Sequence, residues 1–495
     1  MGSARNQLLA VGLLAALAAG PLGAAASRQQ QQPLPPGAFP GARGWGKNAT
    51  GGRAKNARVL LVTSLADSGP GTLREALTAS GPRVVVFRTG GVISLKSKIS
   101  VRSGDLTVFG QTAPGDGVIV KNHPIRIGAS NVIVRGLRVR NGDDPDGPAG
   151  DQRDSLQLGR VGPDGKLDPG GSIRDIVIDH CSFGWSMDET VEFWYGARNV
   201  TLSNNVFSEA LWKSQHPYTV KGSPYGGNPG HGYAMLFGNG ACDLVTVHHN
   251  LFAHNERRNP WIKDNARVEL VNNVVYNWES EATGLWSPEP GAKPSSANIL
   301  GNYYKPGPST NKTGQGSRGV NLFKTAAPGS RFYLRGNVGP GRAGGDGGPE
   351  WAAAFVGTDF DASPFRADQP VPEVVSGISA QSAADAFEHV LKHAGAVPRD
   401  AADKRAVEDT RSGGGRPLDA LSQIGGYPQY APGTPPPDAD ADGLPDAWET
   451  ARRLNPRDKT DATRFAPSGY LYVEEYANSL IPSAAATVSP AAPRR

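Results

Sequence analysis

Cysteine is nearly missing from this 495-residue chain, with only Cys181 and Cys242 present. No multi-disulfide framework can hold it together, and the two thiols either pair or lie buried on different strands as small apolar residues. A strong charge of one sign is missing too, since 51 Lys and Arg stand against 46 Asp and Glu. That surplus favours an acidic polymer over a cationic one without naming it. Zinc-finger spacing, an RNP motif and a helix-turn-helix pattern are absent, so nucleic acid is not the expected polyanion. Beyond residue 26 no apolar run is long enough to span a bilayer, and no membrane partner is expected. Within residues 1–26, Arg5, the apolar run 8–19 and the exit Ala24, Ala25, Ala26 read as a secretory signal peptide. A Gln- and Pro-rich flexible lead-in at 27–40 follows, and the protein is expected outside the cytoplasm, extracellular or periplasmic.

What the chain has in quantity is glycine (64) and proline (41), which implies many turns and few long helices. Between the turns one eight-residue frame recurs: V-T-L-S-N-N-V-F (200–207), V-T-V-H-H-N-L-F (245–252), V-E-L-V-N-N-V-V (268–275), A-N-I-L-G-N-Y-Y (297–304) and F-Y-L-R-G-N-V-G (332–339). Asn205, Asn250, Asn273, Asn302 and Asn337 share a column at intervals of 23 to 45 residues, and I-V-I-D-H-C-S-F (176–183) fits with Cys181 in that column. Such spacing suits a solenoid with one strand of this kind per coil and loops of unequal length between coils. Asparagine tolerates a left-handed backbone and bonds through both ends of its amide, so stacked asparagines can turn each coil and ladder to the next. The expected fold is all-β, a right-handed parallel β-helix. The T-L-R-E-A-L segment (72–77) is read as a short helix capping its N-terminal end.

Three further segments carry chemistry. In R-R-N-P-W-I-K (257–263), Arg257, Arg258 and Lys263 surround Pro260, which implies a stiff, extended mount for cations facing an anionic ligand. The run 142–156 is dense in aspartate, and W-S-M-D-E-T-V-E-F (185–193) adds Asp188, Glu189 and Glu192. Asp188 and Glu192 are four apart and share a face in a strictly alternating strand, as hard oxygen donors for Ca²⁺ would. Lastly, D-A-D-A-D-G-L-P-D-A-W-E (438–449) fits an EF-hand loop, with Asp438, Asp440, Asp442, the Leu444 carbonyl, Asp446 and Glu449 as ligands of a structural Ca²⁺. Helices packed through Trp448, Leu454, Tyr472, Tyr476 and Leu480 are expected around it.

R-N-P-W-I-K, I-D-H (178–180) and H-H-N (248–250) resemble the motifs of the family 1 polysaccharide lyases, the pectate lyases, and the likeness extends over 39–305. The resemblance implies a secreted enzyme that cleaves polygalacturonate by calcium-dependent β-elimination to 4,5-unsaturated oligogalacturonides. It makes Arg258 the catalytic base and Lys213 and Lys263 substrate-binding residues. It also makes Asp154 a ligand of the catalytic Ca²⁺, joined by Asp188 and Glu192, with Asp151 and Glu189 in reserve. Asp179, in I-D-H, is read as a structural hydrogen-bonding residue. Lys263 stands where the family has arginine, which keeps the charge and loses bidentate pairing. The expected partner is an acidic polysaccharide, and the expected state a monomer. The alternatives are a β-helix polygalacturonase-type hydrolase, suggested by Gly230-His231-Gly232, and a non-catalytic carbohydrate-binding solenoid. The expected organisation is a β-helix over 41–340, an extension wrapping it over 341–430 with a helix at 383–395, a calcium-loop module over 431–482 and a disordered tail at 483–495.

Overall fold

The computed structural model describes residues 37–219, 230–238, 240, 242–287, 289–343, 348–357 and 360–482. The signal peptide, most of the lead-in and the tail lie outside the described residues. Within them the strands form ten-, nine- and eight-stranded sheets, and each strand pairs in parallel with its counterpart one coil on. This is the parallel β-helix the repeat implies. The register joins Ile176 to Val200, Val200 to Val245, Val245 to Val268, Val268 to Ala297 and Ala297 to Phe332, which are the first residues of the sequence frames.

The asparagine column forms the ladder. Asn205 Nδ2 donates to Asn250 Oδ1 at 2.9 Å, and the bond repeats from Asn250 to Asn273 (2.9 Å), Asn273 to Asn302 (2.9 Å) and Asn302 to Asn337 (3.0 Å). The left-handed turn was expected in the same column, but it falls one residue earlier, at His180, Asn204, His249, Asn272, Gly301 and Gly336. The turning residue leaves the core so that the next amide can point along the stack. Inside, Phe183, Phe207 and Phe252 superpose, with ring centroids 5.7 and 4.9 Å apart. Each such ring removed from water contributes roughly 1.5–3 kcal/mol. Cys181 and Cys242 are buried free thiols on different coils.

Helix α1 (Leu73–Thr78) buries Leu73, Ala76 and Leu77 at the N-terminal end, and buried Arg83 donates to the Ala76 and Leu77 carbonyls at 3.1 and 2.9 Å. The arginine satisfies carbonyls that a helix end leaves without partners. Helices α2 (Ala383–His393) and α3 (Ala401–Ser412) cover the eight-stranded sheet through Val390, Leu391, Ala394 and Ala406. Helices α4 (Asp446–Ala451) and α5 (Tyr472–Ser479) dock on Val84, Val86 and Phe109 of the ten-stranded sheet. The N-terminal arm crosses that sheet at Gly46, where an added Cβ would lie 2.4 Å from the Ile176 carbonyl. The expected change of architecture at 340 comes later, because Ala354–Val356 still pairs with Val320–Leu322. Two sheets are thus covered on their outer faces, and the nine-stranded sheet turns Arg126, Gln157, Glu192, Leu236 and Trp261 outward in register.

Candidate active site

Asp154 lies just before strand Leu156–Leu158 and Asp188 just before Glu189–Phe193, on adjacent coils of the nine-stranded sheet. Carboxylate oxygens of Asp154, Asp188 and Glu189 come within 4.8 Å of one another. In the expected trio of Asp154, Asp188 and Glu192, the pairing of Asp188 with Glu192 rested on one alternating strand, but Asp188 precedes the strand and Thr190 falls outside its ladder register. Glu189, held in reserve, therefore makes the close approach. Glu192 faces outward beside them and accepts a bond from Trp194 Nε1. Asp151 is exposed in a short turn, apart from this trio.

The cluster is costly without a cation. Asp154 is buried, with one oxygen accepting from Gln157 Nε2 at 2.7 Å and the other without a hydrogen-bond partner. Burial, then Glu192 and Asp188, raise its pKa well above the usual carboxylate range. Burial and Asp188 push Glu192 up to about 7. Hard oxygens held together in this way suit a divalent cation such as Ca²⁺.

Arg258 reaches the same cluster from two coils further on. Its backbone is left-handed, at φ 60°, and residues 259–260 form a turn, so the chain does not run extended here as Pro260 had suggested. The turn seats the guanidinium 4.2 Å over Tyr233 and 4.4 Å over Trp261, paired with the Glu189 carboxylate. Burial lowers its pKa to about 10, opposed by Asp188, Glu281 and Glu289. Lys263 is buried, paired with Glu289, and lies 4.6 Å over Trp261. Lys213 is exposed and lies 4.5 Å over Trp212, and Glu279 is the acid that feels its charge. Asp154, Asp188, Glu189, Glu192 and Arg258 are thus brought together, with Lys263 sharing Trp261 with Arg258, while Asp151 stands apart from the carboxylate trio.

Two histidines at the site were missed. His216 Nε2 and His231 Nδ1 lie 3.8 and 3.6 Å from the same Asp188 oxygen, and their rings stack at 3.7 Å and 4°. Asp188, His216 and His231 offer ligand atoms within 4.8 Å of one another, a second polar group that shares Asp188 with the carboxylate trio. Burial drives His231 down to about 3. The G-H-G triplet was the available signal, and it had been weighed only as a mark of a hydrolase. Of the insert 216–233, which the sequence suggests overhangs the cleft with tyrosines that could stack on sugar faces, residues 220–229 lie outside the described residues.

Asp179 is buried among Arg135, His180 and Ser203, at 2.8, 2.7 and 2.6 Å. In the C-terminal module Asp438, Asp440 and Asp442 converge, as do Asp442, Glu449 and Asp461. Both oxygens of Asp440 and of Glu449 are buried without hydrogen-bond partners. Burial, with Asp442 and Asp461 beside it, raises Glu449 to about 8, and burial raises Asp442 to about 7. Leu444 donates its N–H to Asp442 at 2.8 Å and buries its side chain under the module. Asp446 accepts from the Ala439 N–H at 2.8 Å, and Asp461, outside the loop pattern, joins the cluster.

No protein-family model matches the chain. Among curated proteins it is similar to the probable pectate lyase C of Aspergillus fumigatus, 33% identical over 455 residues, covering 90% of this chain and 94% of the relative. The probable pectate lyase C of Aspergillus terreus is 34% identical over 457 residues, with the same coverage of 90% and 94%. Among solved structures, the major cedar pollen allergen jun a 1 aligns with a TM-score of 0.47 at 18% identity, covering 72% of this chain and 93% of that one.

Proposed function

The chain belongs to the pectate lyase family, and from that premise we propose that it is a secreted, monomeric lyase cleaving polygalacturonate by β-elimination. The observation that carries the reading is the approach of Arg258 to the Asp154–Asp188–Glu189 carboxylates on one outward sheet face. In the reaction, the C5 proton of a galacturonosyl residue passes to a neutral Arg258 nitrogen. The C5–H electron pair forms the C4–C5 double bond, the C4–O4 bond breaks, and the departing oxygen takes a proton from solvent. Ca²⁺ held by Asp154, Asp188, Glu192 and Glu189 would pair with the sugar carboxylate and draw off the charge that develops there. The unpartnered oxygen of Asp154 supports that assignment.

Arg258 has two tasks in the cycle. Stacked between Tyr233 and Trp261, it is held against rotation, so that exchange of Glu189 for substrate needs little rearrangement. Its lowered pKa brings the neutral form within reach at alkaline pH, and a neighbouring dication lowers it further. Lys263 anchors a substrate carboxylate by exchange from Glu289, and exposed Lys213 meets the polymer at the groove edge. The calcium loop serves stability, holding α4 and α5 to the β-helix. Residues 1–26 direct export, and among the described residues no helix is long and apolar enough to cross a membrane.

The test is the ultraviolet absorbance of the conjugated product from polygalacturonate, with and without chelator. A rise that calcium restores supports the lyase. New reducing ends without absorbance would identify a hydrolase, and binding without either a carbohydrate-binding solenoid.

A further inference from the structure

The outward face of the nine-stranded sheet changes character at Arg258. On the earlier coils it carries Arg126, Gln157 and Glu192, with Lys98 close to Asp154 and Glu192. On the later coils the strands Thr283–Leu285, Val320–Leu322 and Ala354–Val356 contain no ionisable residue. An aromatic lane replaces them. The Arg258 guanidinium lies over Trp261, Trp261 stacks on Trp286 at 4.2 Å and 29°, Phe323 meets Trp286 edge-on at 6.1 Å and 88°, and Phe355 follows at 6.0 Å.

The fold does not need these rings for its core. Their neighbours Ile262, Leu285 and Leu322 point inward and fill it, whereas Trp286, Phe323 and Phe355 are half-buried on the outer side. Gly284 makes room for Trp286: a Cβ there would sit 3.0 Å from Trp286 Nε1 and 2.6 Å from the Glu281 carboxylate that this N–H contacts at 3.1 Å. Successive rungs of a sheet are about 4.8 Å apart, a pitch of the same order as one pyranose ring. Trp261 and Trp286 cover each other's faces and Phe323 stands across Trp286, so the lane offers apolar ring edges beside the catalytic groove, a surface for the C–H groups of a sugar.

The lane also discriminates by charge. Lys263 serves the coil of Trp261, over which it lies, one coil before Trp286, and Lys324 is exposed beyond Phe323, in water where a single ion pair is worth little. A free carboxylate laid over Trp286 and Phe323 would lose hydration with no buried cation to meet it. A methyl ester carries no charge and offers its methyl group to the rings. We propose that the Trp286–Phe323 lane binds methyl-esterified galacturonosyl residues, so that the preferred substrate is a partly esterified galacturonan with a free acid only at the reaction centre. The inference rests on the lyase reading above.

The experiment measures kcat and KM of the full chain on polygalacturonate and on pectins of graded methyl esterification, for wild type, Phe323→Ala, Trp286→Ala and Trp286→Phe. Wild type is expected to be most efficient at intermediate esterification. The two alanine variants should raise KM roughly three- to tenfold more on esterified polymer than on polygalacturonate, the range expected of one lost aromatic contact, with Trp286→Phe retaining most of the difference. Equal losses on every polymer would reduce the rings to struts between coils and overturn the proposal. So would a wild type whose efficiency falls steadily with esterification. Absence of unsaturated product from every polymer would overturn the lyase reading and this inference with it, whereas loss of the selectivity pattern alone overturns only this one.

Discussion

A guanidine base ties turnover to pH in a way that can be worked out in advance. With the Arg258 pKa lowered to about 10 by burial, the neutral fraction is about 0.1% at pH 7 and about 1% at pH 8. The base must be unprotonated, and a group of that pKa loses its proton as pH rises. At saturating calcium, which lowers that pKa further, kcat should therefore climb about tenfold per unit from about pH 7 and level off at or below about pH 10. Arg258→Lys keeps a cation but loses the planar group seated 4.2 and 4.4 Å from Tyr233 and Trp261, and with it the reach to the sugar. A positioned general base contributes about 10²–10⁴-fold, so kcat should fall by that factor, about 2.7–5.5 kcal/mol of barrier. Initial rates of ultraviolet absorbance follow the reaction, with circular dichroism confirming the fold. A profile already flat above about pH 7, where Glu192 and Glu281 titrate, would refute the reasoning. A lysine variant with near-normal kcat would do the same.

Asp154→Asn should raise the calcium needed for half-maximal activity by at least roughly ten- to a hundredfold while leaving the melting curve near wild type, as calcium titrations would read. In chelated protein, Glu449 and Asp442 are protonated in the fold up to about pH 8 and 7 but ionise near pH 4 to 5 when unfolded. The fold then binds more protons, and stability falls as pH rises from about 5 to 8. Calcium at about a hundred times its Kd should restore about 2.7 kcal/mol. Scanning calorimetry at both ends of that window checks this, and identical melts with and without calcium would remove the loop as a metal site. Asn250→Ala removes a buried amide that donates to Asn273 and Leu202 at 2.9 and 3.0 Å and accepts from the Asn205 N–H at 2.8 Å. It should cost about 2–4 kcal/mol, read as hydrogen-exchange protection lost from the flanking coils first.

The coil register was legible because each ladder position states its chemistry locally. An asparagine flanked by alternating apolar residues can stand in few other environments, and Val200, Val245 and Val268 pair as their frames align. The left-handed turn was misplaced by one residue, since either of two adjacent asparagines could have taken it. At Arg258 a positive φ replaced an extended chain, because the residues around Pro260 do not specify that turn and only the neighbouring coils select it.

What the amino-acid order determined alone was the solenoid, its capping helix and the calcium-loop pattern, because each rests on spacing within a few residues or on a column repeated from coil to coil. Which side chains meet across coils was decided only by the folded stack. Loops of unequal length separate Asp154, Asp188 and Arg258, and their convergence with Glu189 depends on where each strand begins. His216 and His231 reach Asp188 from the edges of a long insertion, and Asp461 reaches Glu449 from outside its motif. Separations of that length carry no periodic signal, so parallel pairing had to bring the groups within reach before their charges could act on one another.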